Sequence, residues 1–131
     1  MKIVTAGIIY NNDKILIAQR KLNKSLGGLW EFPGGKLEEG ETLEQCLKRE
    51  IQEELHLDIT VKKFFMKSEF TYDFGTISLN AFFAESPTQE ITYMDSHEAT
   101  RWVKISELKD YDFPPADKPI LEKLQQTGLV F

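Results

Sequence analysis

The chain has 131 residues, of which 41% are hydrophobic and 28% charged, so one globular domain over residues 1–131 is predicted and a disordered protein is excluded. Its formal net charge of −5 argues against a polymeric nucleic-acid partner, because binding a phosphate backbone requires clustered Lys and Arg. A small phosphate ligand held through a metal ion is compatible with this charge.

The N-terminal residues predict a β-hairpin. Ile3–Tyr10 and Lys14–Gln19 are β-prone runs joined by the turn-forming residues Asn11–Asp13. No apolar run reaches the roughly 20 residues that span a bilayer, and the N-terminus lacks a small-residue cleavage pattern. Because the single cysteine, Cys46, cannot form an internal disulfide, we expect a reduced, cytoplasmic protein without membrane contact.

A loop and a short strand are predicted next. Lys21–Gly28 is polar and ends in two glycines, which indicates a loop. The apolar and aromatic stretch Leu29–Phe32 follows, and Pro33-Gly34-Gly35 then ends the extended run.

The middle of the chain predicts a helix. Thr42, with Gln45 three residues later, has the pattern of a capping box. Apolar residues then recur at helical spacing, and we therefore predict a helix over Leu43–Leu55.

Strands dominate the second half, and a helix closes the chain. Two long strands, Asp58–Thr71 and Thr76–Glu85, flank turn residues 72–75. The remaining predicted elements are a strand at Ala99–Val103, a helical turn at Ser106–Leu108, and a last helix near Pro119 with core positions Ile120, Leu121 and Leu124. The predicted fold class is α/β (α+β), with a mixed β-sheet packed between helices.

The predicted middle helix carries an acidic cluster. Glu50, Glu53 and Glu54 lie at i, i+3 and i+4 and share one face, away from the apolar stripe. A Glu-rich helix is more often a solvated surface. Three carboxylates this close also repel each other, and a hard divalent cation such as Mg²⁺ relieves the repulsion. Such an ion suits phosphate chemistry, because it neutralises charge on phosphate oxygens and activates water.

The flanking residues favour the metal interpretation. Gly35, five residues, Glu41, seven residues and then Arg49-Glu50-Ile51-Gln52-Glu53-Glu54 resemble the signature of the Nudix hydrolase family. The resemblance extends over Ile3 to about Leu124 and is strongest to the MutT-like branch. It implies an α/β/α sandwich, a divalent metal (Mg²⁺, with Mn²⁺ possible), and substrates built as nucleoside diphosphates linked to another group.

The resemblance assigns roles along the signature. Glu50 and Glu54 resemble the main metal-binding carboxylates, Glu53 supports the same cluster, acting directly or through water, and the carbonyl of Gly34 is a further metal ligand. Arg49 resembles the arginine that orients the carboxylates. Two interpretations of Glu41 stay open, a signature role and simple stabilisation of the helix dipole.

The chain departs from the signature at His56, where the family has glycine before an aliphatic residue. A left-handed helix end would cost a non-glycine residue on the order of 1 kcal/mol, although histidine tolerates it better than most. The departure therefore concerns local stability, and it removes no ligand.

Substrate-binding residues are implied by resemblance outside the signature. Arg20 lies where the branch carries a substrate-facing arginine, and a surface salt bridge is the alternative. Asp117 follows Asp112-Phe113-Pro114-Pro115-Ala116 at the position of a base-reading side chain. Related oxidised-guanine enzymes have asparagine there, and cytidine-triphosphate pyrophosphohydrolases have aspartate; the alternative is an N-cap of the last helix.

Three further side chains are less specific. Phe32 and Phe113 either stack on a base or, as isolated aromatics more often do, fill the core. Glu98 lies upstream of Trp102, in a region where related enzymes place another acidic residue near the metals. We expect it to be catalytic, with a solvated surface residue as the alternative.

The predicted function is a metal-dependent nucleoside triphosphate pyrophosphohydrolase, a monomer or small homo-oligomer, that releases a nucleoside monophosphate and pyrophosphate. Oxidised dGTP is the leading substrate, which would make the protein a nucleotide-pool sanitiser. Cytidine triphosphates, including damaged dCTP, are the alternative. A nonhydrolytic, nucleotide-sensing Nudix module is the alternative of another class.

Overall fold

A mixed sheet forms the centre of the fold, which the computed structural model describes over residues 1–129. Six strands, two α-helices and one 3-10 helix lie in this part of the chain. Their bounds are β1 (Lys2–Asn11), β2 (Lys14–Arg20), β3 (Trp30–Glu31), α1 (Leu43–Leu55), β4 (Thr60–Tyr72), β5 (Gly75–Glu85), β6 (His97–Val103), the 3-10 helix (Ile105–Asp110) and α2 (Lys118–Thr127).

The strands pair in the order β3-β2-β1-β5-β4. β1 and β3 pair with different parts of one edge of β2, and β6 pairs along its other edge. β1 and β5 run parallel, whereas the other pairs are antiparallel. The predicted mixed sheet is therefore confirmed.

β1 and β2 diverge immediately after their hairpin turn, where they pair only at Tyr10 with Ile15 and at Asn11 with Lys14. Residues 30–37 fill the opening. β3 pairs with β2, and the chain then crosses to β1, where the Gly7 amide donates to the Pro33 carbonyl (2.7 Å) and the Thr5 amide to the Gly35 carbonyl (2.8 Å). The glycine turn at residues 34–35 is thereby fixed against the central strand.

The two α-helices cover opposite faces of the sheet. α1 packs Leu47, Ile51 and Leu55 into one hydrophobic cluster, and α2 packs Ile120 and Leu124 into the other. Neighbouring residues of β1 and β2 join different clusters, because side chains alternate between the faces of a sheet. Each fully buried Leu or Ile contributes about 1.5 to 3 kcal/mol. The predicted α/β/α sandwich is confirmed.

α1 has the predicted bounds and the predicted cap. The Gln45 amide donates to the Thr42 hydroxyl (3.1 Å), and the Thr42 amide donates to the Gln45 side chain (2.9 Å). The helix ends at His56, which adopts the left-handed conformation with φ 51° and ψ 38°. The His56 ring stacks on Tyr93, with 3.6 Å between ring centroids and 2° between planes.

Some element bounds differ from the sequence prediction. The Leu29–Phe32 strand is reduced to Trp30–Glu31, because the chain leaves β2 for β1 at the following residues. The last strand begins at His97 rather than Ala99. The predicted helical turn is a longer 3-10 helix. Among the described helices, neither length nor apolar character suffices to cross a membrane.

Candidate active site

A cavity of about 360 Å³ opens between the glycine turn, α1 and the end of β2. Its wall brings together residues that are far apart in sequence. Seven of the predicted site residues line it: Arg20, Phe32, Gly34, Gly35, Glu50, Glu54 and Asp117.

Glu50 and Glu54 project from α1 into this cavity, one helical turn apart. The Glu50 carboxylate pairs with Arg49 at 2.9 Å, whereas one carboxyl oxygen of Glu54, Oε2, is buried without a hydrogen-bond partner. Burial raises the pKa of Glu54 to about 8, repulsion from Glu50 and Glu31 adds to the rise, and Lys24 opposes it. Glu54 is therefore a buried acid whose pKa the charge of Lys24 only partly lowers.

A divalent cation fits this pair of side chains. Hard cations take carboxylate and carbonyl oxygens as ligands, and a cation beside Glu54 would satisfy its unpartnered oxygen and favour the ionised form. Over residues 1–129, however, no group of three or more His, Cys, Asp or Glu side chains is arranged to hold a metal ion. Glu53 does not line the cavity; its side chain is 58% exposed and pairs with Arg49 at 3.3 Å. The predicted participation of Glu53 requires its side chain to turn or to act through water.

At Gly34 the glycine turn packs so closely against the backbone of β1 that no side chain fits there. A Cβ atom on Gly34 would overlap the Thr5 carbonyl, and one on Gly35 would overlap the Glu50 carboxyl group. The turn thus lies directly against the acidic face of α1. This contact brings the predicted carbonyl ligand, Gly34, and the carboxylates to one cavity wall.

Arg49 ties the signature residues together. Its Nε and Nη2 donate to the two Glu41 oxygens at 2.6 and 2.9 Å, and its Nη1 donates to Glu50 at 2.9 Å. Hydrogen bonds from Arg49 and from the Glu38 amide lower the pKa of Glu41 to about 2. These contacts support the predicted orienting role of Arg49 and favour the signature role of Glu41 over a dipole effect.

Arg20 is engaged in local contacts at the mouth of the cavity. Its Nη1 donates to Glu31 at 3.0 Å, and its Nε donates to the Ser25 carbonyl at 2.8 Å. The second Glu31 oxygen lies 2.9 Å from Nε2 of His97, which is 6% exposed. No local sequence pattern marks Glu31 or His97. The register that places Arg20 opposite His97 brings them together.

Asp117 lies at the N-cap position of α2, yet its side chain makes no capping hydrogen bond. It accepts a long hydrogen bond, 3.5 Å, from the Phe32 amide. Burial raises the pKa of Asp117 well above its usual range, and the charge of Glu31 adds to the rise. The raised pKa favours the neutral carboxyl group, which both donates and accepts hydrogen bonds.

Phe32 and Glu98 differ in their relation to the cavity. Phe32 lines it but is also 3% exposed and packs on Phe113, with 5.3 Å between ring centroids, so the core interpretation applies to both aromatics. Glu98 is exposed, and Ser96 and His97 line the cavity instead. The prediction of a catalytic Glu98 thus has no support from the cavity geometry.

A second cavity of about 260 Å³ adjoins the first. Asp117 lines both, whereas Glu50 and Glu54 line only the first. The second wall is largely apolar, and the Tyr72 and Phe74 rings stack there with centroids 5.1 Å apart. The combined site has an acidic end and an apolar, aromatic end, with Asp117 between them.

Residues 4–123 match the sequence profile of the NUDIX domain. The chain belongs to the Nudix family. It is 36% identical to the CTP pyrophosphohydrolase of Escherichia coli strain K12 over 119 residues, which cover 91% of this chain and 87% of that protein. It is 34% identical to the 8-oxo-dGTP diphosphatase of the same strain over 124 residues, which cover 94% and 95%.

Solved structures agree with the Nudix assignment. The solution structure of the E. coli ORF135 protein superposes with a TM-score of 0.80 at 34% identity and covers 100% of this chain and 95% of that one. The prediction of a Nudix hydrolase of the MutT-like branch is confirmed.

Proposed function

We propose that this Nudix hydrolase is a metal-dependent nucleoside triphosphate pyrophosphohydrolase that acts on oxidised dGTP and so limits mutation from the nucleotide pool. One observation carries the proposal: a single site joins the acidic wall of Glu50 and Glu54 to an apolar, aromatic cavity through Asp117. The acidic wall suits a metal ion with the phosphates of a nucleotide, and the apolar, aromatic cavity suits its base.

The residues present fit a divalent ion, with Mg²⁺ the expected ion and Mn²⁺ a substitute. Glu50, Glu54 and the Gly34 carbonyl would hold it, Arg49 would keep Glu50 oriented, and Glu53 would join through water or after leaving Arg49. The bound ion would neutralise charge on the phosphate oxygens and lower the pKa of water. In the reaction, water breaks one P–O bond of the α–β anhydride; its hydroxyl group goes to one phosphorus and its proton to the other product.

The raised pKa of Asp117 supports a base-reading role for this residue, because a protonated carboxyl group would present one donor and one acceptor to a base edge. That pattern matches what asparagine offers, which favours the oxidised-guanine substrate. Cytidine triphosphates are the second candidate, because an aspartate at this position also resembles cytidine enzymes, and one such enzyme is a 36% identical relative.

The test is Mg²⁺-dependent pyrophosphate release from oxidised dGTP, dGTP, CTP, dCTP and hydroxylated dCTP. We expect oxidised dGTP to have the highest kcat/KM. Preference for a cytidine nucleotide would replace the leading substrate with the second candidate.

Glu54→Gln is the control variant, because it removes the charge while preserving the shape of the side chain. We expect it to fold, with thermal unfolding like the parent, and to lose at least about a hundredfold in kcat, as expected when a group that supports metal or acid–base chemistry is removed. Unchanged turnover in Glu54→Gln would overturn the metal-site assignment. Metal-independent binding without turnover of any member would indicate a nonhydrolytic nucleotide-sensing module.

A further inference from the structure

Two lysines of the loop over residues 21–28 line the same cavity as Glu50 and Glu54. Lys21 and Lys24 both contribute to its wall. Within the described residues, neither ammonium group has an acidic partner at ion-pair distance. Unpaired cations at a cavity wall are free to bind an anionic ligand.

The loop that carries them has a defined backbone. The Gly28 amide donates to the Arg20 carbonyl at 3.0 Å, the Lys24 amide to the Lys21 carbonyl at 3.1 Å, and the Arg20 side chain to the Ser25 carbonyl at 2.8 Å. A Cβ atom on Gly27 would lie 2.6 Å from the Leu22 carbonyl oxygen, so only glycine allows this close turn. Both lysines therefore extend from fixed positions at the cavity mouth.

A triphosphate bound in this cavity would need positively charged partners other than the two nearby arginines. The two arginines near the site are already neutralised, Arg20 by Glu31 and Arg49 by Glu41 and Glu50. A divalent ion on Glu50 and Glu54 would be balanced by those carboxylates. A triphosphate brings several further negative charges. The lysines on this wall that have no acidic partner at ion-pair distance among residues 1–129 can meet them: Lys36, next to the glycine turn, and Lys21 and Lys24 of the loop.

We propose that Lys21 and Lys24 form the binding site for the two terminal phosphates, which leave as pyrophosphate, and that they make the enzyme select nucleoside triphosphates over diphosphates. This inference rests on the proposed function, because it names the part of the substrate that the loop binds. Lysine suits the task, since its ammonium group is a compact point charge that can follow a phosphate chain.

The deciding comparison is between Lys21→Met/Lys24→Met and Lys62→Met/Lys109→Met. Both double variants remove the same net charge, and Lys62 and Lys109 are exposed and do not line the cavity. For the loop variant we expect KM for a triphosphate to rise about tenfold or more, the loss expected for charge-assisted hydrogen bonds. We expect kcat to stay within about threefold and KM for the diphosphate of the same base to change far less.

Calorimetric binding of pyrophosphate in the presence of Mg²⁺ gives a readout that is independent of turnover. We expect Lys21→Met/Lys24→Met to bind pyrophosphate about tenfold more weakly than Lys62→Met/Lys109→Met does. Equal pyrophosphate affinity in the two variants, or equal changes in KM for triphosphate and diphosphate, would overturn the inference. Absence of turnover on the whole nucleotide panel would overturn the proposed function, and the calorimetric comparison would still decide the role of the lysines.

Discussion

Arg49 and Glu41 form a two-point ion pair, in which Nε and Nη2 of the guanidinium each donate to a different oxygen of the same carboxylate. The remaining nitrogen, Nη1, reaches Glu50. Glu41 thus fixes the plane of the guanidinium, and the guanidinium fixes a carboxylate of the candidate metal site. The pair links the loop that precedes α1 to the acidic face of the helix.

Replacing Arg49 by lysine should impair the site while leaving the fold intact. A lysine keeps the charge but cannot donate to Glu41 and Glu50 in the same fork geometry. We expect kcat/KM to fall about tenfold or more and the Mg²⁺ concentration for half-maximal activity to rise. Arg101→Lys, on the exposed side of β6, is the matched control; equal activity in the two variants would contradict the orienting role.

Binding of Mg²⁺ should release a proton from Glu54. In the metal-free protein the pKa of Glu54 is raised to about 8, so the group is protonated at neutral pH and must ionise to become a ligand. The apparent Mg²⁺ affinity should then rise about tenfold per pH unit and level off above about pH 8. Calorimetry in buffers of different ionisation enthalpy measures the proton, and Glu54→Gln should abolish it.

The same raised pKa sets a pH dependence of stability without metal. Between the ordinary pKa of 4.5 and about 8, the folded state keeps a proton that the unfolded state has lost, so the free energy of unfolding falls as pH rises through this window. Glu54→Gln should flatten that decline. Urea unfolding at several pH values is the measurement, and an equally steep decline in the variant would show that other groups cause it.

Asp117→Asn should preserve base preference. The neutral carboxyl group and the amide have nearly the same shape, and each donates and accepts. We expect kcat/KM within about threefold of the parent at neutral pH, and a loss of about tenfold or more for Asp117→Ala, which leaves the base edge unpaired. Because the pKa of Asp117 is raised, high pH should weaken the parent by ionising Asp117 and leave Asp117→Asn unaffected. A larger loss of kcat/KM at high pH in Asp117→Asn than in the parent would contradict a neutral Asp117.

The stack of His56 on Tyr93 should compensate for the left-handed helix end. Tyr93→Ala should lower the free energy of unfolding by about 1 kcal/mol in the parent, the worth of an aromatic pair. In a His56→Gly background, where the stack is gone and glycine relieves the backbone strain, the same change should have little effect. A double-mutant cycle measures the coupling, and additive losses would show that the rings do not interact in solution.

Local patterns predicted the elements whose signals lie close together in sequence. α1 has the expected bounds because its cap, apolar stripe and acidic face all fall within Thr42–Leu55. Of the three carboxylates predicted to share one helical face, Glu50 and Glu54 line the cavity, and Glu53 does not. Glu53 lies beside Glu50 on the helix surface and also four residues after Arg49, so the helical spacing allows both a carboxylate cluster and an Arg49–Glu53 ion pair. The spacing does not decide between these two arrangements.

Residues joined by strand register were the hardest to predict. Glu31 and His97 lie 66 residues apart, and their contact at 2.9 Å depends on how β2 aligns with β3 and β6. Glu98 illustrates the same difficulty, because side chains alternate along a strand and a shift of one residue decides which of two neighbours lines the cavity. The raised pKa of Asp117 likewise follows from burial that only the packed structure creates.

The way residues 30–37 fill the gap between β1 and β2 has a consequence for aggregation. Without this segment, two central strands would present unpaired amide and carbonyl groups, and such open edges recruit other chains. Insertions or deletions around Pro33–Gly35 should therefore produce insoluble protein, rather than a folded but inactive enzyme. Selection for solubility and selection for activity act on the same few residues here.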